Sequence, residues 1–402
     1  MKNRTFVFVV CGAAAHIKTL HFSINYLKHF SKNRIVVITD SSRNEIPVIH
    51  DNIIDIITPQ EFDNHQASIW LKTGAHKFLP KGNTYCYLDS DVVAINKEVD
   101  SIFDYHVSPV TFAADHCTID QFSPTALQCG CLEKSQNRQS EFDKLLESAL
   151  PGYNKKNQLL NPEYRELYHE LHMLKQHPVK NFKLLLNLLF PSTARNKNEI
   201  TLNKKFYFDG VNRNWYNNKR RFITKDTILG FPKELNETGR FRFSRLKNTW
   251  VDDTNTPVFK NSCNHLIDEI KIKFLVDINK NNWQHWNGGV FLFDDGSADF
   301  LDTWHENTLK IFSDNRWRVR DQGTLAATVW QHGLQSKKLL PEEFNFLADF
   351  YNPDVMLHNE GPIVIKKDRK LFTPHFLHIY HEFGNEKWDI WKAIKFLNVN
   401  SR

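Results

Sequence analysis

Several things are scarce in this chain of 402 residues. No apolar run approaches the roughly 20 residues that a membrane-crossing helix needs, which argues against a transmembrane protein. The six cysteines, at positions 11, 86, 117, 129, 131 and 263, show no paired secretory spacing, and three of them lie in apolar runs. That excludes a disulfide framework and fits a reducing cytoplasm. Cys129-Gly130-Cys131, with Cys117 and His116 nearby, invites a zinc site, but the spacing matches no common zinc pattern and reads as scattered thiols. No periodic repeat or long low-complexity tract is visible.

What remains is the composition of a soluble globular protein, 41% hydrophobic and 24% charged. The length exceeds a typical single domain, so either one large core with an insertion or two domains is expected. Lys2, Asn3 and Arg4 followed by Phe6 to Ala15 imitate a secretory signal. The β-branched and aromatic run Thr5 to Val10, followed by a helical pattern and a second strand at Arg34 to Thr39, reads better as the first strand of a βαβ unit. A lipoprotein reading of Cys11 is weaker, because bulky Val10 precedes it.

Strand and helix patterns alternate through the first 115 residues. Strands are expected at Phe6 to Val10, Arg34 to Thr39, Ile53 to Ile57 and Tyr85 to Leu88, with helices at about Ile17 to Phe30 and Gln66 to Phe78. This predicts a parallel, doubly wound α/β sheet. A further strand, Val110 to Ala114, ends in Asp115. From about Cys117 to Asn282 the rhythm disappears. Within that stretch, Lys175 to Lys247 holds 17 Lys/Arg against 5 Asp/Glu, a net of +12, whereas the whole chain carries only +6. Basicity is therefore concentrated in one segment. It contains an apolar run, Phe182 to Phe190, bordered by Lys180 and Arg195, which reads either as a core helix of an inserted subdomain or as an interfacial helix on an anionic bilayer. The α/β signal returns with the strand Trp286 to Phe293, a helix at Ser297 to Phe312, and a second helical pattern from Thr324 to His332 after Arg320-Asp321-Gln322-Gly323.

The most informative run is Tyr85 to Val93, a buried strand ending in Asp89-Ser90-Asp91. Strand residues alternate faces, so Asp89 and Asp91 point one way and Ser90 the other. Two carboxylates at the end of a strand suit Mg2+ or Mn2+ bridging to a diphosphate. Ligands of open α/β sheets bind beyond the carboxyl ends of the strands, where Asp89, Asp91 and Asp115 all lie.

Four motifs in order, Asp89/Asp91, Asn287-Gly288-Gly289, Asp321-Gln322 and His381/Gly384/Lys387, resemble those of the retaining glycosyltransferases of family 8. That family includes the glycogenins and the bacterial lipopolysaccharide galactosyl- and glucosyltransferases. The likeness covers residues 1 to 116 and about 283 to 392. It implies a GT-A type, Rossmann-like fold: a mixed, mostly parallel sheet with a large, partly helical insertion. The divisions expected are 1–116 and 283–402 for the two halves of the GT-A domain, and 117–282 for a basic acceptor-facing or membrane-facing subdomain. Two departures stand out. The turn after the first strand, Cys11-Gly12-Ala13-Ala14-Ala15, lacks the acidic or polar residue that often reads the base. Trp388 follows Lys387 directly, where the family usually has Pro-Trp.

The resemblance also implies roles. Asp89, Asp91 and His381 would hold Mn2+ or Mg2+, with His378 the competing imidazole. Lys72 and Lys387 would face the phosphates of a nucleotide-sugar donor. Cys11, Gly12, Ala13, Ser90, Asn287, Gly288, Gly289 and Gly384 would lie against that donor. Gln322 would turn its amide oxygen toward the anomeric carbon, with Asp321 and Asp115 on sugar hydroxyls or as second candidate nucleophiles. The expected reaction is transfer of a hexose from UDP-glucose, UDP-galactose or a relative to a saccharide or lipid-linked saccharide, with retention, on the cytoplasmic side of an anionic membrane. Two other classes fit less well. A sugar nucleotidyltransferase usually opens with a Gly-rich phosphate loop carrying Arg or Lys, and Cys11 to Ala15 has neither. A non-catalytic glycan or nucleic-acid binder would suit the basic segment with its aromatics, but would make the ordered motifs coincidental, so no nucleic-acid partner is expected.

Overall fold

A computed structural model describes residues 3–150, 153–190, 199–227, 229, 235, 237–244, 246–247, 249–352, 354–358, 363–368 and 370–397. Arg195 lies outside the described residues. The first part of the chain forms strands β1 (Asn3–Val10), β2 (Arg34–Thr39), β3 (Ile53–Asp55), β4 (Asn83–Leu88), β5 (Val92–Ala94) and β6 (Val110–Thr118), with helices α1 (Ala14–Phe30) and α2 (Asn64–Thr73). The signal-like N-terminal run is thus β1, as its β-branched residues predict.

The next stretch holds helices α3 (Ile119–Ala126), α4 (Cys131–Ala149), α5 (Lys155–Leu160), α6 (Pro162–Gln176) and α7 (Phe182–Leu189). It then adds six four-residue strands: β7 (Glu199–Leu202), β8 (Phe206–Asp209), β9 (Asn214–Asn217), β10 (Phe222–Lys225), β11 (Phe241–Ser244) and β12 (Thr249–Asp252). Helix α8 (His265–Phe274) leads back to the long strand β13 (Gln284–Phe293). After it come α9 (Ala298–Lys310), α10 (Arg320–Gln331), β14 (Phe346–Leu347), β15 (Met356–His358), β16 (Val364–Lys367), β17 (Lys370–Phe372), β18 (Phe376–His378) and α11 (Asp389–Phe396).

The central sheet has the order β3-β2-β1-β4-β13-β6. Its first four strands are parallel, with Val7 opposite Val36 and Phe6 opposite Cys86. β13 alone runs antiparallel, pairing Val290 with Leu88 and Asn287 with Ala113. The fold is therefore mixed, mostly parallel α/β, as the alternating patterns predict. Alternation along β1 sends Phe6, Phe8 and Val10 into the core under α1, and Val7 and Val9 into the larger core shared with α2, α9 and α10. Because β13 runs backwards, its N-terminal residues lie beside the C-terminal end of β4, and two distant parts of the chain meet where ligands of such sheets bind.

The stretch between β6 and β13 is built differently. Sheet β10-β9-β8-β7 packs with α6 and α7 around Leu167, Leu171, Leu188, Phe208 and Trp215. The hairpin β11-β12 packs on α4 around Phe142, Leu146, Phe241 and Trp250. The expected apolar helix at Phe182 is α7, which buries Leu188 and leaves Phe182 65% exposed. Among the described residues, no helix is long and apolar enough to cross a membrane.

Candidate active site

At the carboxyl ends of β4 and β6, beside the N-terminal half of the reversed β13, lies a cavity of about 920 Å³, lined among others by Lys72, Asp89, Asp91, Asp115, Asn287, Gly289, Asp321, Gln322 and His378. Three of these form a candidate metal set: Asp89, Asp91 and His378 each offer one ligand atom, and the three atoms lie within 4.8 Å of one another. Asp89 follows the end of β4, and its backbone N–H donates to the Gly289 carbonyl at 2.8 Å. The sheet thereby fixes where the acidic pair begins. His378 ends β18, paired with Val92 just beyond Asp91, and its Nε2 is 3.3 Å from Asp91 Oδ1.

The imidazole that lies beside the acidic pair is that of His378, the competing choice, where His381 was expected. Strand pairing holds His378 beside the acidic pair. His381, three residues past the strand, is 44% exposed with Nδ1 3.4 Å from Asp349 Oδ1, and it reaches only the cavity wall. His378 Nδ1 lies 3.0 Å from Asn345 Oδ1, a contact that would fix a proton on Nδ1 and present Nε2 to an ion held by the carboxylates. A glycine makes the arrangement possible: a Cβ on Gly289 would stand 2.4 Å from His378 Cε1 and 2.9 Å from Asp89 Oδ2. Two carboxylates and a properly presented imidazole fit Mn2+ or Mg2+, the imidazole favouring Mn2+.

Lys72, near the end of α2, projects its ammonium between two acids, 3.1 Å from Asp89 Oδ1 and 3.0 Å from Asp321 Oδ2. Burial alone would lower its pKa, but the charges of Asp321 and Asp89 outweigh that and hold it above the ordinary lysine value. For Asp321, burial is outweighed in turn by Lys72, and its carboxyl stays below the usual range. Tyr87, two residues before Asp89 on the same strand face, donates its hydroxyl to Asp89 Oδ1 at 2.7 Å. Sequence reading passed over Tyr87, although the same two-residue alternation that pairs Asp89 with Asp91 points to it.

A second network ties β6, β13 and α10 together. Asp115 Oδ2 accepts from Asn287 Nδ2 at 3.2 Å and from Gln322 Nε2 at 2.9 Å, while Oδ1 lies 2.8 Å from His116 Nδ1. Burial opposes ionisation of Asp115, but these donors and the nearby imidazoles push its pKa well below the usual range. The Gln322 amide oxygen accepts the Gly288 N–H at 2.5 Å. The Gln322 amide, expected with its oxygen toward the anomeric carbon, is hydrogen-bonded within the protein at both ends and bridges Asp115 to the Gly288 backbone. Register between β13 and β6 shifts between Asn287 and Phe291, which frees the Gly288-Gly289 backbone from regular pairing.

Other expected donor contacts are not brought together here. The turn after β1 lies outside the cavity lining. Gly12 N–H donates to Asn44 Oδ1 at 3.0 Å, Ala14 N–H donates to Glu45 Oε2 at 2.8 Å, and Cys11 is buried with its thiol pushed up to about 11 by burial and by Asp40. Ala13 is the residue before α1. Ser90 is not part of the cavity lining, and its backbone carbonyl accepts from Ser23 Oγ at 2.6 Å. Gly384 and Lys387 are exposed and do not line the cavity. What sequence reading missed entirely is the far wall, where Phe122, Thr125, Lys260, Asn261 and Ser262 come from the two ends of the insertion. No periodicity marks those residues.

No protein-family model matches the chain, and no curated protein sequence matches it. Solved structures give faint likenesses. The bifunctional glycosyltransferase WbbM is 11% identical with a TM-score of 0.43, covering 100% of this chain and 50% of that one. The galactosyltransferase LgtC is 8% identical with a TM-score of 0.38, covering 98% and 94%. The glycosyltransferase GlyE of Streptococcus pneumoniae TIGR4 is 15% identical with a TM-score of 0.21, covering 28% and 29%. The chain thus spans half or less of the length of WbbM and of GlyE. With TM-scores of 0.21 to 0.43, these likenesses decide nothing about chemistry, which has to come from the site.

Proposed function

We propose that this chain is a metal-dependent, retaining glycosyltransferase of GT-A type, related to family 8, which moves a hexose from a nucleotide sugar to a saccharide or lipid-linked saccharide. The observation that carries the reading is the convergence of Asp89, Asp91 and His378 with the buried Lys72 at one end of a cavity of about 920 Å³. Bound there, Mn2+ or Mg2+ would neutralise the charge that develops on a departing nucleoside diphosphate. Lys72 supplies a fixed positive charge beside it, already oriented by Asp89 and Asp321. UDP-glucose, UDP-galactose or a relative is the donor that the motif order favours.

Retention is the outcome that the motif resemblance favours, and the state of the acids bears on the route it would take. Asp321 is paired with Lys72, and both oxygens of Asp115 hold donors, so neither offers a carboxylate suited to covalent attack. In front-face transfer, the bond from the anomeric carbon to the phosphate oxygen breaks as the acceptor oxygen bonds the same carbon from the same side. The acceptor's proton passes to the departing phosphate oxygen. Asp115 and Asn287 hold the sugar during this exchange, and Gln322 braces Asp115 and the Gly288 backbone. NMR of the newly made linkage tests the reading, and an inverted anomeric centre would sink it.

For the acceptor we propose a lipid-linked saccharide at an anionic membrane face. Val179, Phe182 and Leu186 are 90%, 65% and 42% exposed beside Lys180 and Lys183, an apolar edge with basic flanks. An acidic glycan free in solution is the alternative that the basic segment also fits.

A further inference from the structure

The two ends of the insertion meet, outside the metal set of the cavity, at three thiols and an imidazole. Cys129 and Cys131 flank Gly130, the residue before α4, and Cys263 and His265 flank Asn264 at the start of α8. One ligand atom from each of the four lies within 4.8 Å of every other. Cys129 Sγ is 3.8 Å from Cys263 Sγ, and Cys131 Sγ is 3.7 Å from His265 Nδ1. A tetrahedral zinc ion with Zn–S of about 2.3 Å and Zn–N of about 2.0 Å has S···S edges of about 3.8 Å and S···N edges of about 3.6 Å. A disulfide would need its sulfurs at about 2.0 Å.

Three further features favour ligation over chance packing. The chain's other thiols do not converge: Cys11 and Cys86 are buried singly in separate cores. Gly130 takes φ of +75°, a backbone turn that lets two cysteines one residue apart both enter the cluster. Ser123 Oγ accepts the N–H of Leu266 at 2.9 Å, which turns its own proton toward Cys263 Sγ at 3.2 Å. A hydroxyl donating to sulfur is the kind of outer contact that orients and stabilises a ligating thiolate. The pairing was invisible to sequence spacing because the second half of the set, Cys263-Asn264-His265, follows the first by more than a hundred residues. Cys117 and His116, its neighbours in sequence, belong instead to the network around Asp115.

We propose that Cys129, Cys131, Cys263 and His265 bind one structural zinc ion that closes the insertion at its neck. Binding releases three thiol protons and leaves three thiolates and a neutral imidazole around the ion. The site secures a wall of the cavity, because Lys260, Asn261 and Ser262 run directly into Cys263, and Phe122 and Thr125 lie on the helix that precedes Cys129. The inference is independent of the proposed reaction.

The test is zinc content of the purified full chain after dialysis against EDTA, which strips an exposed carboxylate site. About one zinc per chain is expected to remain, unchanged in Asp91→Asn and reduced at least about tenfold in Cys129→Ser/Cys263→Ser. Cobalt reconstitution is expected to give a thiolate-to-cobalt charge-transfer band in the wild type and in Asp91→Asn. Should the double variant fail to fold, the wild type alone decides. Absence of retained zinc with no thiolate band, or a Cys129–Cys263 disulfide by mass spectrometry, overturns the proposal.

Discussion

The central sheet and the insertion are built on different principles. In the sheet, strands of six to ten residues such as β1, β4 and β13 bury both faces, and the end of β4 and the first half of β13 bring side chains to the cavity. In the insertion, four-residue strands close two small cores of their own, around Trp215 and around Trp250, and among its described residues only those of the two ends touch the cavity. On the proposed reading this would separate chemistry from recognition: Asp89 and Asp91 follow a strand of the sheet, and the insertion would govern what reaches them through its neck. Three changes set the two regions against each other, and a fourth probes the insertion's surface.

The largest expected effect is on the sheet. Asp91→Asn should lower metal-dependent turnover by about a thousandfold or more, since one ligand and one charge are lost from the metal set. Circular dichroism and the thermal midpoint should stay close to wild type, because Asp91 lies at the cavity and not in a core. Turnover within tenfold of wild type would mean that the acidic pair is not the reacting centre.

Trp215→Ala should cost about 3–5 kcal/mol of the insertion's stability by emptying a fully buried site. Hydrolysis of the sugar nucleotide without acceptor should nevertheless persist below the new, lower transition temperature. If both activities disappear together while the central sheet stays folded by hydrogen exchange, the separation of the two regions is wrong.

Gly289→Ala sits between these extremes. Its Cβ would press on His378 and Asp89, so a strain of about 1–3 kcal/mol is expected with turnover falling about a hundredfold. Gly288→Ala is the milder partner, since its Cβ would meet the Gln322 amide oxygen at 3.2 Å. Equal effects of the two on turnover and stability would remove the cradle argument for His378.

Much of the sheet was legible because burial on alternating faces writes itself into Phe6 to Val10, Arg34 to Thr39 and Tyr85 to Leu88. Asp89, Asp91 and Asp115 were legible from the strand ends they follow, whereas Asn287 and Gln322 stood out through the order of motifs they share with a known family. His378 was harder: choosing it over His381 requires knowing that β18 pairs with β5, a contact between residues almost three hundred apart that no local pattern records. Around the turn at Cys11 to Ala13, Asn44 and Glu45 arrive from a loop to accept the N–H groups of Gly12 and Ala14, contacts that no local pattern records. The thiol cluster failed for a related reason. Its spacing is set by the whole insertion folding back on itself, and a spacing rule reads only the chain between neighbours.

The smallest effect on stability is expected at the surface of α7, where the comparison turns from fold to partner. Phe182 and Leu186 are 65% and 42% exposed, whereas Leu188, two residues on from Leu186, is fully buried. Phe182→Ala/Leu186→Ala should therefore change stability by less than about 1 kcal/mol, while Leu188→Ala should cost about 2–5 kcal/mol. If the exposed pair enters a bilayer, the order reverses for sedimentation with anionic liposomes. Burial of a large apolar side chain gains about 1.5–3 kcal/mol, so the double variant should bind at least about tenfold more weakly at moderate salt. The helix keeps Lys180 and Lys183 in that variant, so a purely electrostatic attachment would leave binding unchanged and would fall with salt instead. Equal binding by wild type and double variant at high salt would assign the basic segment to a soluble acidic glycan and leave the membrane without a role.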